Sequence, residues 1–274
     1  MKNPYKKPKT EVHAKKSLGQ NFLHDQHVLA RIADLAVPQG TTGVVEVGPG
    51  TGNLTAHLLE RIPEGQTLQA IERDRRLLPI LAEKFGARLE LTEADAAEVD
   101  WPALLHKQGQ MPVVVGNLPY YAAIPILFAA LEARPSRLVF MLQKEVAERL
   151  AAKPGTAENG QIAIKIQMMA DVQLAFKVGR GAFTPAPKVE SAIVVLTPLA
   201  EPRFPLPNRA AFDKLVTAGF ALRRKTLVNA LQLGLQLPGE QVRAVLEQMG
   251  VDVRVRAEVL TLQQWAQLTT ALEV

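Results

Sequence analysis

Gly48, Gly50 and Gly52 fall within five positions directly after the apolar run Val44–Val47. Glycines so spaced free the backbone and leave no side chains to block a ligand, while the β-branched Val44, Val45 and Val47 read as a buried strand. A dinucleotide fingerprint needs glycine where Asn53 stands, and no Lys-Ser or Lys-Thr follows as a P-loop requires, so neither a nicotinamide or flavin cofactor nor a nucleoside triphosphate fits. A purely structural tight turn remains the alternative. Glu72 stands 20 residues past Gly52 at the end of a second apolar run, where a carboxylate accepts hydrogen bonds from both hydroxyls of a ribose. The competing reading is an exposed acid paired with Arg73, Arg75 or Arg76. Asp95, ending a third run, could accept from an adenine amino group. Glu46, just before the glycines, could orient backbone amides or face an ammonium group. Glycine loop, ribose acid and adenine acid at successive strand ends fit S-adenosylmethionine better than other common cofactors.

A fourth run ends in Asn117-Leu118-Pro119-Tyr120. An exocyclic adenine amine is a poor nucleophile because its lone pair is delocalised into the ring. The Asn117 side-chain oxygen and the Leu118 carbonyl could accept its two N–H bonds and stabilise the charge that grows on nitrogen during attack on a sulfonium methyl. Pro119 fixes the turn, and Tyr120 offers a ring on which a flipped base can stack. By itself the tetrapeptide reads equally as an Asn-Pro-type turn; placed after a methyl-donor loop, it points to an amino-methyltransferase.

The elements that must hold these residues follow from periodicity. Strand-like runs at Gly43–Val47, Thr67–Glu72, Arg88–Thr92, Pro112–Gly116 and Arg137–Leu142 alternate with helix-length stretches such as 54–61 and 75–85. This predicts an α/β, Rossmann-like parallel sheet with ligands at the carboxyl ends of its strands. Val172–Val178 and Ser191–Thr197 read as an antiparallel pair closing the sheet edge. Pro198, Pro202, Pro205 and Pro207 then exclude helix or central strand. Residues 200–208 are expected to link a methyltransferase domain, 17–199, to a small all-helical domain, 209–274. Helices are predicted there over 209–222, 224–233, 240–249 and 262–272, the last opened by a Thr261/Gln264 capping box.

Composition narrows the chemistry. The 274 residues include no cysteine, which removes disulfides, iron–sulfur clusters and thiolate zinc sites, and the five histidines lack metal-binding spacing, so metal-free chemistry is expected. The longest apolar run, 122–131, contains Pro125 and is far short of the roughly 18 residues a membrane span needs, so a soluble cytoplasmic protein is expected. The net charge of +5 resides in residues 1–16, where six lysines face the single acid Glu11. Such an arm, including Lys15 and Lys16, tracks phosphate backbones in many proteins, although a solvated tail aiding solubility has the same composition. Arg223, Arg224 and Lys225 form a second basic cluster, with a solvated helix face as its alternative reading.

Together these segments resemble the small-subunit rRNA adenine dimethyltransferases of the KsgA type. The resemblance spans nearly the whole chain: "KKSLGQNFL" from Lys15, "EVGPGTGNLT" from Glu46, "NLPY" from Asn117, "QKEVAERL" from Gln143, "FTPAPKVESA" from Phe183 and "RRKTLVNAL" from Arg223. It implies that Gln20, Asn21 and Leu23 line the cofactor pocket with Gly48 and Gly50. It also assigns the ribose contact to Glu72, the adenine contact to Asp95 and the amine-orienting role to Asn117, and it packs Phe183 against the target base opposite Tyr120. The implied reaction is transfer of four methyl groups to N6 of two adjacent adenosines in the 3′-terminal hairpin loop of 16S rRNA, within the assembling small subunit; a monomer is expected, although sequence does not fix the oligomeric state. Family members usually continue the acceptor motif with Asn-Ile-Ser-Thr where Tyr121-Ala122-Ala123-Ile124 stand here, and have tyrosine where Asn159 stands. A resistance-type 23S rRNA methyltransferase, an assembly factor with weak catalysis and a small-molecule methyltransferase remain rival functions.

Overall fold

The computed structural model describes residues 13–15, 18–107, 112–222 and 224–272. The lysine arm as far as residue 12, together with Lys16 and Arg223, lies outside the described residues. The chain divides into two compact units, the first running up to Ala147 and resuming over Gln173–Pro198, the second comprising Glu148–Val172 and Leu199–Val274.

The first unit contains β1 (Phe22–Leu23), α1 (Gln26–Ala36), β2 (Gly43–Val47), α2 (Asn53–Leu59), β3 (Leu68–Glu72), α3 (Leu78–Phe85), β4 (Leu89–Glu93), α4 (Trp101–His106), β5 (Pro112–Asn117), α5 (Ala123–Glu132) and β6 (Arg137–Gln143). The chain continues through α6 (Lys144–Leu150), α7 (Gln161–Met169), β7 (Ala170–Val178), β8 (Phe183–Thr184) and β9 (Ser191–Pro198). Seven strands form one sheet in the order β4-β3-β2-β5-β6-β9-β7. The pairs β2/β3, β3/β4, β2/β5 and β5/β6 are parallel, and β6/β9 is antiparallel. β2 and β3 are buried along their whole length, as expected of central strands covered on both faces.

The strand order reverses between β2 and β5, which opens a crevice beyond their carboxyl ends. Gly116 permits close pairing there, because a Cβ on it would lie 2.5 Å from the Val47 carbonyl oxygen. α2 begins immediately after Gly52, whose φ is +76°, and a Cβ on Gly52 would lie 2.5 Å from the Phe85 ring. The third glycine of the loop therefore serves helix-to-helix packing as well as the turn. α3 starts at Leu78, three residues later than expected, because 74–77 close a turn in which the Leu77 amide donates to the Asp74 carbonyl.

In the second unit, α8 (Arg209–Ala221), α9 (Leu227–Leu235), α10 (Gly239–Gln248) and α11 (Leu262–Leu272) surround Phe212, Leu215, Leu231, Leu246 and Trp265. Ile164 and Met168 of α7 are buried in the same cluster, which is why residues 148–172 belong with the helices although they precede the expected linker. Residues 200–208 contain neither helix nor strand. Thr261 and Gln264 form a reciprocal cap, each side chain accepting from the other's backbone amide at 3.2 and 2.9 Å. α9 starts at Leu227 rather than 224, because extended Thr226 caps it by accepting from the Asn229 amide. Arg224 and Lys225 are thus exposed in the preceding turn and are not on a helix face.

Candidate active site

The crevice at the sheet's switch point is a cleft open to solvent. Its walls include Gln20, Asn21, Gly48, Gly50, Glu72, Asp95, Asn117, Leu118 and Tyr120. Seven of these nine positions meet because four parallel strands end side by side, and Gln20 and Asn21 join them through the Asn117 side-chain amide, which donates to the Asn21 carbonyl. Between the polar groups lie Val47, Ile71, Ala96 and Ile126, an apolar lining suited to the faces of a nucleoside.

The glycine loop is held in shape by its neighbours. The Gly50 amide donates to Glu72 Oε2 at 3.2 Å, the Asp74 amide to Glu72 Oε1 at 2.8 Å, and Lys84 Nζ to the carbonyls of Thr51 and Gly52 at 3.0 and 3.3 Å. Glu72 is only 6% exposed, and burial pushes its carboxyl above the usual range against the pull of these backbone donors. The neighbouring arginines are paired elsewhere: Arg73 with Asp95, Arg75 with Glu93 and Arg76 with Asp74. A carboxylate offers about four acceptor positions, so Glu72 retains one for a ribose hydroxyl after its backbone bonds from Asp74, Gly50 and Arg73.

Asp95 accepts from the Ala97 amide at 3.0 Å through Oδ1 and sits 2.9 Å from Arg73 Nη1 through Oδ2. The same Arg73 nitrogen donates to the Tyr121 hydroxyl at 3.3 Å. Neither Arg73 nor Tyr121 was singled out as a site residue by the sequence, although both flank residues that were. Tyr121 is 58% exposed and its ring lies beside Gly19, giving the departure from the usual Asn-Ile-Ser-Thr a set of contacts of its own. α5 nevertheless starts without a side-chain cap, with Ala122 in the capping position.

Asn117 Nδ2 donates to the Asn21 carbonyl at 3.0 Å, which fixes the orientation of the carboxamide and turns Oδ1 away from that contact. Asn21 in turn donates from Nδ2 to the Gly19 carbonyl at 3.1 Å. Gln20 braces its segment, accepting from the Lys15 amide and donating to Asp74 at 2.9 Å. Hydrogen bonds from Arg76 and Gln20 hold the Asp74 carboxyl down to about 2. Tyr120 is half-buried, its hydroxyl lies 2.7 Å from Ser191 Oγ, and burial raises its phenol above the ordinary value.

Three expected residues sit elsewhere. Leu23 and Glu46 line a smaller recess behind the glycine loop, which Phe22, Gly48, Gly50 and Asn117 share with the main cleft. Glu46 is 1% exposed and accepts from Thr55 Oγ1 at 2.7 Å; burial, opposed by that bond, pushes its carboxyl up to about 8. Phe183 does not line the cleft. It is 4% exposed in the core because β8 pairs antiparallel with β1, setting Phe183 opposite Leu23. Alternation along a two-residue strand could not be read from sequence, so nothing there distinguished a core ring from a base-stacking one. Among the described residues, no group of three or more His, Cys, Asp or Glu could hold a metal ion.

A family model described as ribosomal RNA adenine dimethylase matches residues 11–273. The chain is 43% identical over 267 residues to the ribosomal RNA small subunit methyltransferase A of Geobacter metallireducens, covering 95% of this chain and 96% of that protein. It is 44% identical over 272 residues to the protein of the same name from Anaeromyxobacter dehalogenans, covering 96% and 94%. Among solved structures, a dimethyladenosine transferase from Plasmodium falciparum matches with a TM-score of 0.73 at 27% identity, covering 90% of this chain and 95% of that one. The 23S rRNA methyltransferase ErmE matches with a TM-score of 0.69 at 28% identity, covering 93% and 100%.

Proposed function

The chain belongs to the ribosomal RNA adenine dimethylase family, and from that premise we propose that it transfers methyl groups from S-adenosylmethionine to N6 of two adjacent adenosines in the 3′-terminal hairpin loop of 16S rRNA during small-subunit assembly. The observation that carries the proposal is the convergence of Gly50, Glu72, Asp95 and Asn117 on one cleft. The relatives at 43–44% identity are named for the small subunit, which favours 16S over 23S rRNA. No described helix is long and apolar enough to cross a membrane.

The cleft fits the donor by the chemistry of its walls. Glu72 would hold the ribose through its remaining acceptor capacity, and Asp95 would accept from the adenine amine. When bound, S-adenosylmethionine supplies an electrophilic methyl group on a sulfonium. Asn117 Oδ1 and the Leu118 carbonyl accept the two N–H bonds of the target amine and favour the nitrogen geometry and charge of the transition state. Tyr120 stacks the flipped base. Apolar groups such as Leu118 and Ile126 limit water beside the reacting atoms.

Methylation of 30S particles that lack the modification tests the assignment, with 50S-derived 23S rRNA as the control. Asn117→Ala is expected to leave donor affinity nearly intact and slow single-turnover transfer on the order of 100-fold or more, since its contact strengthens only as charge develops. Unchanged single-turnover rates would remove Asn117 from the mechanism. Methylation of 23S rRNA alone would reverse the substrate assignment.

A further inference from the structure

The segment "FTPAPKVESA" carries much of the family resemblance, yet none of its side chains lines the cleft. One of them reaches the site indirectly. Ser191 is 0% exposed and opens β9, in register with Gln143 at the end of β6. The residue before it is fixed twice: the Lys144 amide donates to the Glu190 carbonyl at 2.9 Å, and Lys144 Nζ lies 2.8 Å from Glu190 Oε2. Ser191 Oγ is therefore a fixed point, and the group it holds is the Tyr120 hydroxyl at 2.7 Å.

The loop that bears Tyr120 needs such an anchor. It runs between Pro119 and an α5 start that has no side-chain cap, and the tyrosine ring turns on two side-chain torsions. A hydrogen bond at the far end of the ring pins the hydroxyl and so fixes the first torsion, which sets where the ring lies; the hydroxyl is on the axis of the second. We propose that Ser191 is a positioning residue for methyl transfer, acting through Tyr120 to hold the base-stacking ring at one place in the cleft wall. The proposal rests on the reading of the cleft as a base-methylating site. A base stacked on a shifting ring would bring its amine to the Asn117 acceptor in the wrong place for part of the time. Donor binding would not sense the shift, because Gly50, Glu72 and Asp95 are on other segments of the chain.

The test is single-turnover methylation of unmodified 30S particles by the parent chain, Ser191→Ala, Tyr120→Phe, the double variant and Ser191→Thr, with donor affinity measured by calorimetry. A displacement of a fraction of an ångström predicts about 10-fold slower transfer for each of the first two variants, given roughly 100-fold per 1 Å. Because both remove the same bond, the double variant should be no slower than the slower single one, and donor affinity should not move. Ser191→Thr keeps the hydroxyl and should recover most of the rate. The proposal is overturned if Ser191→Ala lowers the melting temperature while leaving the rate within about twofold of the parent, which a displaced ring does not allow. It is equally overturned if the two single effects multiply in the double variant. A parent chain that methylates no 30S particle would instead remove the underlying reading of the cleft, and the proposal with it.

Discussion

At the scale of single residues, the cleft depends on carboxyl groups that do different work in similar surroundings. Glu72 supports the glycine loop through the Gly50 amide and still has a lone pair to offer. Glu72→Ala should therefore weaken S-adenosylmethionine binding by about 1–3 kcal/mol, the cost of leaving a buried hydroxyl without an acceptor; unchanged affinity in calorimetry would refute the ribose contact. Glu46 is buried and bonded to Thr55, with its carboxyl pushed up to about 8. The folded chain holds this proton between about pH 4.5, where the unfolded carboxyl ionises, and about pH 8. In that window the native state binds more protons than the unfolded state, so this group's contribution to stability falls as pH rises. The E46Q chain keeps an acceptor for Thr55 and has nothing to ionise. Its melting temperature should gain on the parent's as pH rises from 5 to 8, and a constant gap across that range would show that Glu46 ionises normally.

At the scale of elements, the acceptor loop departs from the sequence usual in the family. Tyr121 gains a bond from Arg73 and a place beside Gly19, but α5 begins at an uncapped Ala122. Surface hydrogen bonds of this kind contribute little, whereas a missing helix cap typically costs about 1 kcal/mol. Replacing 121–124 with Asn-Ile-Ser-Thr should therefore raise the single-turnover methylation rate while S-adenosylmethionine affinity stays the same. Rapid-quench measurement on unmodified 30S particles decides this. A replaced loop that is no faster would make the Tyr121 contacts an adequate substitute for the cap.

At the scale of the whole molecule, the basic residues outside the cleft are assigned to rRNA by proposal. Arg224 and Lys225 are exposed in the turn before α9, a position that leaves both side chains available to phosphates. Converting Arg223, Arg224 and Lys225 to glutamine should weaken 30S binding without altering cofactor affinity. Removing residues 1–14 should flatten the dependence of log affinity on log salt by roughly 0.7–0.9 for every phosphate that the arm neutralises. An identical slope would make the arm a passive tail, and equal affinity of the triple variant would return the cluster to a solvated surface.

The seven strands of the large sheet were legible in the sequence within two residues because valine-rich runs bounded by glycine and proline have few other stable uses, as β2 and β5 illustrate, whereas the two-residue β1 and β8 were not. The cleft residues were legible because strand ends in a parallel sheet are brought together by topology alone, so Gly50, Glu72, Asp95 and Asn117 could be placed in one crevice before any contact was known. Local chemistry also marked the Thr261/Gln264 cap. Only the tertiary structure decided which neighbours each group would have. It paired Arg73 with Asp95 and left Glu72 to backbone donors, turned Phe183 into the core against Leu23, and brought Ser191 to Tyr120 across 71 positions of sequence. Periodicity reports which face of an element is apolar, but partners on other elements are set by register and packing. Those depend on the whole chain folding at once.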